Sequence, residues 1–180
     1  MNVKKGILAI SIILAVVVGL IILYTLPRNV SRTLTGVEYQ LGTNRNKVVP
    51  VKITLHGKLQ RSLNGHLKYR GSFVVTGGTV PNPDNQRTAD IHFDSNGQGL
   101  IVYGYWTKAG TPVNHIYGAM FMTDAFKTLT IEAFTPAGSN NKSWNGGDGF
   151  MITAPAQTRS QALSISNELM KKNVDGTMLK

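Results

Sequence analysis

The sequence predicts a mainly β fold: an N-terminal transmembrane helix, then an antiparallel β-sandwich or partly open barrel with a C-terminal helix. Three observations carry that expectation. An uncharged apolar run fills residues 6–26. Short apolar-polar alternations then follow one another along the body of the chain, separated by Gly-, Asn- and Pro-containing turns, with no helix between them. Only at 158–173 does the period become that of a helix. At 180 residues there is room for one ordinary domain and an appendage. The chain divides into a short basic tail at 1–5, an anchor at 6–26, a linker at 27–33 and a β-rich domain at 34–180.

The first element is "GILAISIILAVVVGLIILYTL", 21 residues without a charge. As a helix it rises roughly 30 Å, the thickness of bilayer hydrocarbon. The run is longer than the ~7–15 residues of a signal-peptide core, and no small-x-small pattern follows it. An uncleaved signal-anchor is therefore expected. A lipoprotein is excluded because the chain has no cysteine. A pilin-like start is excluded because Gly6 is followed by Ile7, Leu8, Ala9, Ile10 and Ser11, without the glutamate. Lys4 and Lys5 on one flank nearly balance Arg28 and Arg32 on the other. A short basic N-terminus stays in the cytoplasm, and the Thr-, Asn- and Gly-rich body suits the outside. The expected location is the cell membrane, single-pass, with the domain extracytoplasmic at the cell envelope.

In the domain, "TLTGVEYQL" alternates Leu34, Gly36 and Glu38 against Val37, Tyr39 and Leu41. Next comes "KITLHGKLQRSLNGHLKYRGSFVV", two arms around an Asn64-Gly65 step. A two-residue turn would set apolar residues opposite basic ones. A three-residue loop, Leu63 to Gly65 with Gly65 left-handed, makes the apolar faces coincide. That register pairs Leu59 with Tyr69, Leu55 with Phe73, Ile53 with Val75 and Gly57 with Gly71. "TADIHF", "GLIVYGYW", "HIYGAMFM", "KTLTIEAF" and "FMITAP" supply further strands, seven or eight in all. In "TRSQALSISNELMKKN", Ala162, Ile165 or Ser166, Leu169 and Met170 form one helical stripe. Thr158 or Ser160 can cap its start, and Lys171 and Lys172 suit its end. This helix is expected to cover an open side or end of the sheet.

The net charge of +10 is uneven. From Arg28 to Arg70 there are nine basic residues against Glu38 alone, whereas Gly71 to Lys180 balances eight against eight. A uniformly basic nucleic-acid binder is thereby disfavoured, and no nucleic-acid partner is expected. In the favoured register Lys52, His56, Lys58, Lys68 and Arg70 share one hairpin face, Lys58 directly across from Arg70. That face is either a solvated surface that guards an edge or a binding surface for anionic lipid or an envelope polymer.

The anchor, the basic hairpin and the ending "APAQTRSQALSISNELMKK" resemble uncharacterised small membrane-anchored proteins of Gram-positive bacteria. The resemblance implies no reaction and no catalytic residue. The residues themselves offer none either. The four histidines lack metal-ligand spacing, "GGDG" lacks the remainder of a phosphate loop, and no Gly-x-Ser-x-Gly elbow is present. No cofactor, no metal and no enzyme activity are expected. The polar loop from Thr135 to Gly149 carries Trp144 and Asp148 and could meet an unknown protein partner; a buried Trp144 would merely pin it. "NVS" at Asn29 and "NKS" at Asn141 fit the glycan acceptor pattern. The expected function is a non-catalytic binding module. The alternatives are a small-ligand-binding β-barrel, its cavity lined from "LIVYGYW" and "HIYGAMFM", and an enzyme of unknown type.

Overall fold

The computed structural model describes residues 3–43, 48–81, 88–123, 125–136, 142–173 and 178–180. Along them run α1 (Val3–Thr25), β1 (Arg28–Gln40), β2 (Val48–Arg61), β3 (Leu67–Thr76), β4 (Thr88–Phe93) and β5 (Gln98–Trp106). Then follow β6 (Pro112–Thr123), β7 (Thr128–Ala133), the two-residue strands β8 (Thr135–Pro136) and β9 (Lys142–Ser143), β10 (Phe150–Ala154) and α2 (Arg159–Met170).

Strands β2 to β7 and then β10 form an antiparallel meander, and β1 lies between β10 and β2, closing eight strands into a barrel. The sandwich or partly open barrel expected from sequence is corrected to a closed one. The reason is the length of β1, 13 residues. It pairs with β2 from Arg28 to Tyr39 and with β10 from Val37 to Gln40, so neither sheet edge is left free. The expected linker at 27–33 is corrected with it. Only Leu26 and Pro27 separate α1 from β1.

The hairpin takes the register with coincident apolar faces. Leu59 pairs with Tyr69, Leu55 with Phe73, Ile53 with Val75, Gly57 with Gly71 and Lys58 with Arg70. Ser62 N donates to His66 O at 2.9 Å, and Gly65 has φ +85°. This left-handed residue gives the three-residue loop its shape. Inward residues of the strands, among them Leu55, Phe73, Ile91, Ile101 and Ile131, are fully buried or nearly so. Tyr103 Oη donates to Phe73 O at 2.8 Å and Tyr69 Oη to Ser72 O at 2.6 Å, whereas the buried Tyr117 hydroxyl in the same core finds no partner among the described residues.

Helix α2 covers neither an open side nor an open end. It lies on the outside of β1, β10, β7 and β6, where the outward residues Val37, Tyr39, Met151, Ala119 and Phe121 are apolar and buried. On β1, β6 and β10 both faces carry apolar residues, and the helix covers the outer one, where β7 contributes Thr130. Its buried residues are Ala162, Ser166 and Met170, and Thr158 caps it by accepting from Gln161 N. Ser166 Oγ sits 2.8 Å from each of Tyr39 Oη, Thr130 Oγ1 and Thr153 Oγ1, a buried hydroxyl cluster that fixes the helix on the barrel.

Helix α1 spans Val3–Thr25, and its large apolar side chains between residues 7 and 23 stand 43–67% exposed. Among the residues described with side chains, no helix is long and apolar enough to cross a membrane. The backbone helix itself runs 23 residues. The anchor expected at 6–26 is accordingly a proposal.

Candidate functional site

The barrel has two unlike ends. The start of β1, the β2–β3 turn, the β4–β5 turn and the β6–β7 turn lie at the end next to α1. The β1–β2 and β5–β6 connections and the residues around Trp144 lie at the other.

The outward face of β2 and β3 carries Lys52, His56, Lys58 and Arg70, all exposed, and Lys68, half-buried. The structure brings these five onto one surface but does not make them equivalent. Lys58, Lys68 and Arg70 stand toward the α1 end. Lys52 pairs with Thr76 near the far end, roughly 20 Å further along the strand. Nor is the face wholly cationic. Strand β4 places Asp90 beside Arg70, and Lys68 Nζ lies 3.2 Å from Asp90 Oδ2. His92 Nε2 lies 2.9 Å from Asp90 Oδ1. One carboxylate thus engages Lys68 and His92 and leaves Lys58 as the exposed cation beside Arg70.

A second basic cluster escapes sequence reasoning. The inward face of β1 reads Arg28, Val30, Arg32, Leu34, Gly36, Glu38, with two arginines toward the α1 end and the carboxylate at the other. At the α1 end, Arg28, Arg32 and Arg61 line a cavity of ≈ 500 Å³ together with Tyr24, Leu26, Leu59 and Leu67. The Arg61 guanidinium lies 5.7 Å from the centre of the Tyr24 ring, tying the hairpin tip to the end of the helix. Below this mouth Phe126 is fully buried against Tyr69 and Phe93, with ring centroids at 5.1 and 5.8 Å. To place it there, Ala125 and Phe126 adopt φ of 52° and 66°. A bulky residue in the left-handed region is strained, by about 1–3 kcal/mol. The stopper of the barrel is held at that cost. The arginines could have been found by continuing the alternation of β1 backward from Leu34 through Arg32, Val30 and Arg28.

Trp144 is half-buried, packs against the cluster under α2, and donates from Nε1 to Phe150 O at 3.1 Å. Asp148 is exposed, and its backbone oxygen accepts from Gln40 Nε2 at 2.8 Å. Around Trp144 the geometry is that of a pinned loop. Asn29 is exposed on β1, paired with Lys58; Asn141 lies outside the described residues. Among the described residues no three His, Asp or Glu side chains are grouped to hold a metal ion.

Glu132 on β7 sits half-buried between Ala119 and Met151, and no cation is paired with it among the described residues. Burial pushes its carboxyl up to about 7 from an ordinary 4.5. A raised acid binds more protons folded than unfolded, so stability falls as pH rises from about 4.5 to about 7 and stays lower above. Glu132→Gln should melt like the parent at pH 4. At pH 8 it should be more stable by about 1–2 kcal/mol after allowance for solvent screening, a gain of several degrees. Melting curves of both proteins across that range are the test; a constant difference would overturn the assignment.

Comparison of the chain with protein-family models, curated proteins and solved structures finds no match.

Proposed function

We propose that the chain is a single-pass membrane protein whose extracytoplasmic barrel binds anionic groups at the cell envelope without catalysing a reaction. Exposed apolar side chains along α1 support the anchor. With two residues between helix and barrel, the α1 end of the barrel must lie at the membrane surface. The observation that carries the binding function is Lys58 facing Arg70 on an exposed surface at that end. Like charges directly opposite each other work slightly against the fold, so a partner of opposite charge is the use that fits them.

Each cation near an anionic surface contributes about 1 kcal/mol, lost within a Debye length of roughly 8 Å at physiological salt. Lys58, Lys68 and Arg70 are within reach, and Lys52 is not. Residues 27–180 should therefore sediment with anionic vesicles at low salt, be released by high salt, and ignore neutral vesicles. Replacing Lys58 and Arg70 by Gln should weaken sedimentation severalfold, whereas Lys52→Gln should leave it unchanged. Equal sedimentation with neutral and anionic vesicles, or none at low salt, would reject the lipid form of this function.

A second function, binding of a small ligand, is favoured by one observation, the closed barrel. Against it, Ile101, Tyr103, Tyr117, Met120 and Met122 from the two expected lining segments are buried in side-chain packing. A ligand retained in detergent-free native mass spectrometry would support it.

A further inference from the structure

We propose that Arg28, Arg32 and Arg61 form a discrete pocket for one phosphate group in the barrel mouth, separate from the basic outer face of the hairpin. Three features of the mouth lead there. First, the arginines occupy inward positions, most of which are apolar elsewhere in the barrel. Arg28 pairs with Leu59 and Arg32 with Leu55, and Arg61 is the next inward residue of β2 after Leu59. Arg28 and Arg61 are diagonal neighbours on one face, and Arg32 is about 13 Å further along β1. All three line the same cavity of ≈ 500 Å³, so one bound group can meet more than one guanidinium there.

Second, no acidic partner compensates these charges among the described residues: none of the three lies within ion-pair distance of a carboxylate. Asp124, the nearest acid along the chain to the lining residue Ala125, lies outside the described residues. Three like charges around one cavity repel unless an anion joins them. The guanidinium fork fits phosphate oxygens two at a time, which lysines on an open face do not do.

Third, the chain at the end of α1 shares the cavity with the arginines. Tyr24 and Leu26 line the same cavity. An aromatic ring, an apolar side chain and an arginine cluster in succession match the boundary between acyl chains and headgroups. The phosphate of an anionic phospholipid is therefore the expected source. The source rests on the anchor proposed above; the phosphate chemistry does not.

The full chain in neutral maltoside micelles provides the test. Micelles doped with phosphatidylglycerol or with phosphatidylcholine are equilibrated at about 1 M salt, where the Debye length is roughly 3 Å and diffuse surface attraction is gone. Protein separated by size exclusion should retain a stoichiometric amount of phosphatidylglycerol and much less phosphatidylcholine. Each Arg→Gln change should lower retention roughly tenfold, and Arg32→Lys should recover only part of it. Lys58→Gln with Arg70→Gln should change nothing here, although it should weaken vesicle sedimentation severalfold, so failure of the pocket and failure of the surface are told apart. All three arginines are exposed, so the variants should melt with the parent. Calorimetric titration with inorganic phosphate is the second arm. Phosphate binding that depends on the arginines, without retained lipid, keeps the pocket and assigns it a soluble phosphate. Binding of neither probe, or equal binding by the parent and the triple Arg→Gln variant, overturns the proposal.

Discussion

Gly71→Ala should lower the melting temperature by on the order of 10 °C. Gly71 and Gly57 face each other across β3 and β2 on the inner side of the barrel. A Cβ at Gly71 would overlap Gly57 Cα and the His56 carbonyl oxygen and would stand 2.9 Å from Tyr69 Oη. Two of those three are backbone, which cannot rotate away. The strands would have to part, and Tyr69, fully buried and bonded to Ser72 O, would have to shift with them. Overpacking of this kind costs about 1–3 kcal/mol and more where the neighbours are fixed. Gly104→Ala is the control, because its nearest neighbour would be Asn114 Oδ1 at an ordinary 3.4 Å. Gly65→Ala separates crowding from backbone conformation. Nothing lies within 4 Å of its added Cβ, but its φ is +85°, so it should lose only about 1 kcal/mol. If Gly71→Ala melts with Gly104→Ala, the two strands are not as close as described.

The Gly57–Gly71 pair also marks how far the sequence could be read. The hairpin register was legible because only one loop length puts Leu55, Leu59, Tyr69 and Phe73 on a common face, and its turn carries the glycine that loop requires. Helix α2 was legible from a stripe of small and apolar residues and a threonine cap. Closure of the barrel was not, because it depends on Val37 to Gln40 meeting Phe150 to Thr153, a pairing across most of the chain that no local pattern encodes. The first half of β1 was hidden for a different reason. Its inward residues at the mouth are arginines, and an alternation of Arg, Asn, Val, Ser and Arg shows no apolar face. Tertiary position, not residue type, makes it a strand. The basic hairpin face was legible residue by residue. Its partial neutralisation by Asp90 was not, because that contact needs β4 beside β3. The arginine mouth requires both the extended β1 and the closed barrel, so it emerges only once both are in place.

Glu38→Ala should destabilise the barrel by about 3 kcal/mol from its other end. Glu38 is the last inward residue of β1 and is 2% exposed, yet no lysine or arginine is paired with it among the described residues. Its carboxylate is held by the segment after β3. Thr79 N donates to Oε1 at 2.9 Å and to Oε2 at 3.0 Å, Val80 N donates to Oε2 at 3.2 Å, and the Thr79 hydroxyl donates to Oε1. These bonds fold the segment back over the barrel end and bring Val80 into the core. Truncation removes the side chain that accepts from these donors. Water can replace it at exposed Thr79 but not at the buried Val80 amide, which accounts for most of the loss. Glu38→Gln keeps one carbonyl oxygen but turns an amide group toward the donors, so it should fall between the parent and Glu38→Ala. Thr79→Val, which deletes the hydroxyl bond and leaves the bonds from the two backbone amides, should cost under about 1 kcal/mol. Thermal melts order the four proteins, and hydrogen exchange locates the effect. The Val80 amide should lose protection in Glu38→Ala well before the Leu55 and Phe73 amides of the hairpin do. An Ala variant that melts with the parent, or one that loosens the whole barrel uniformly, would mean that Glu38 does not fasten this segment.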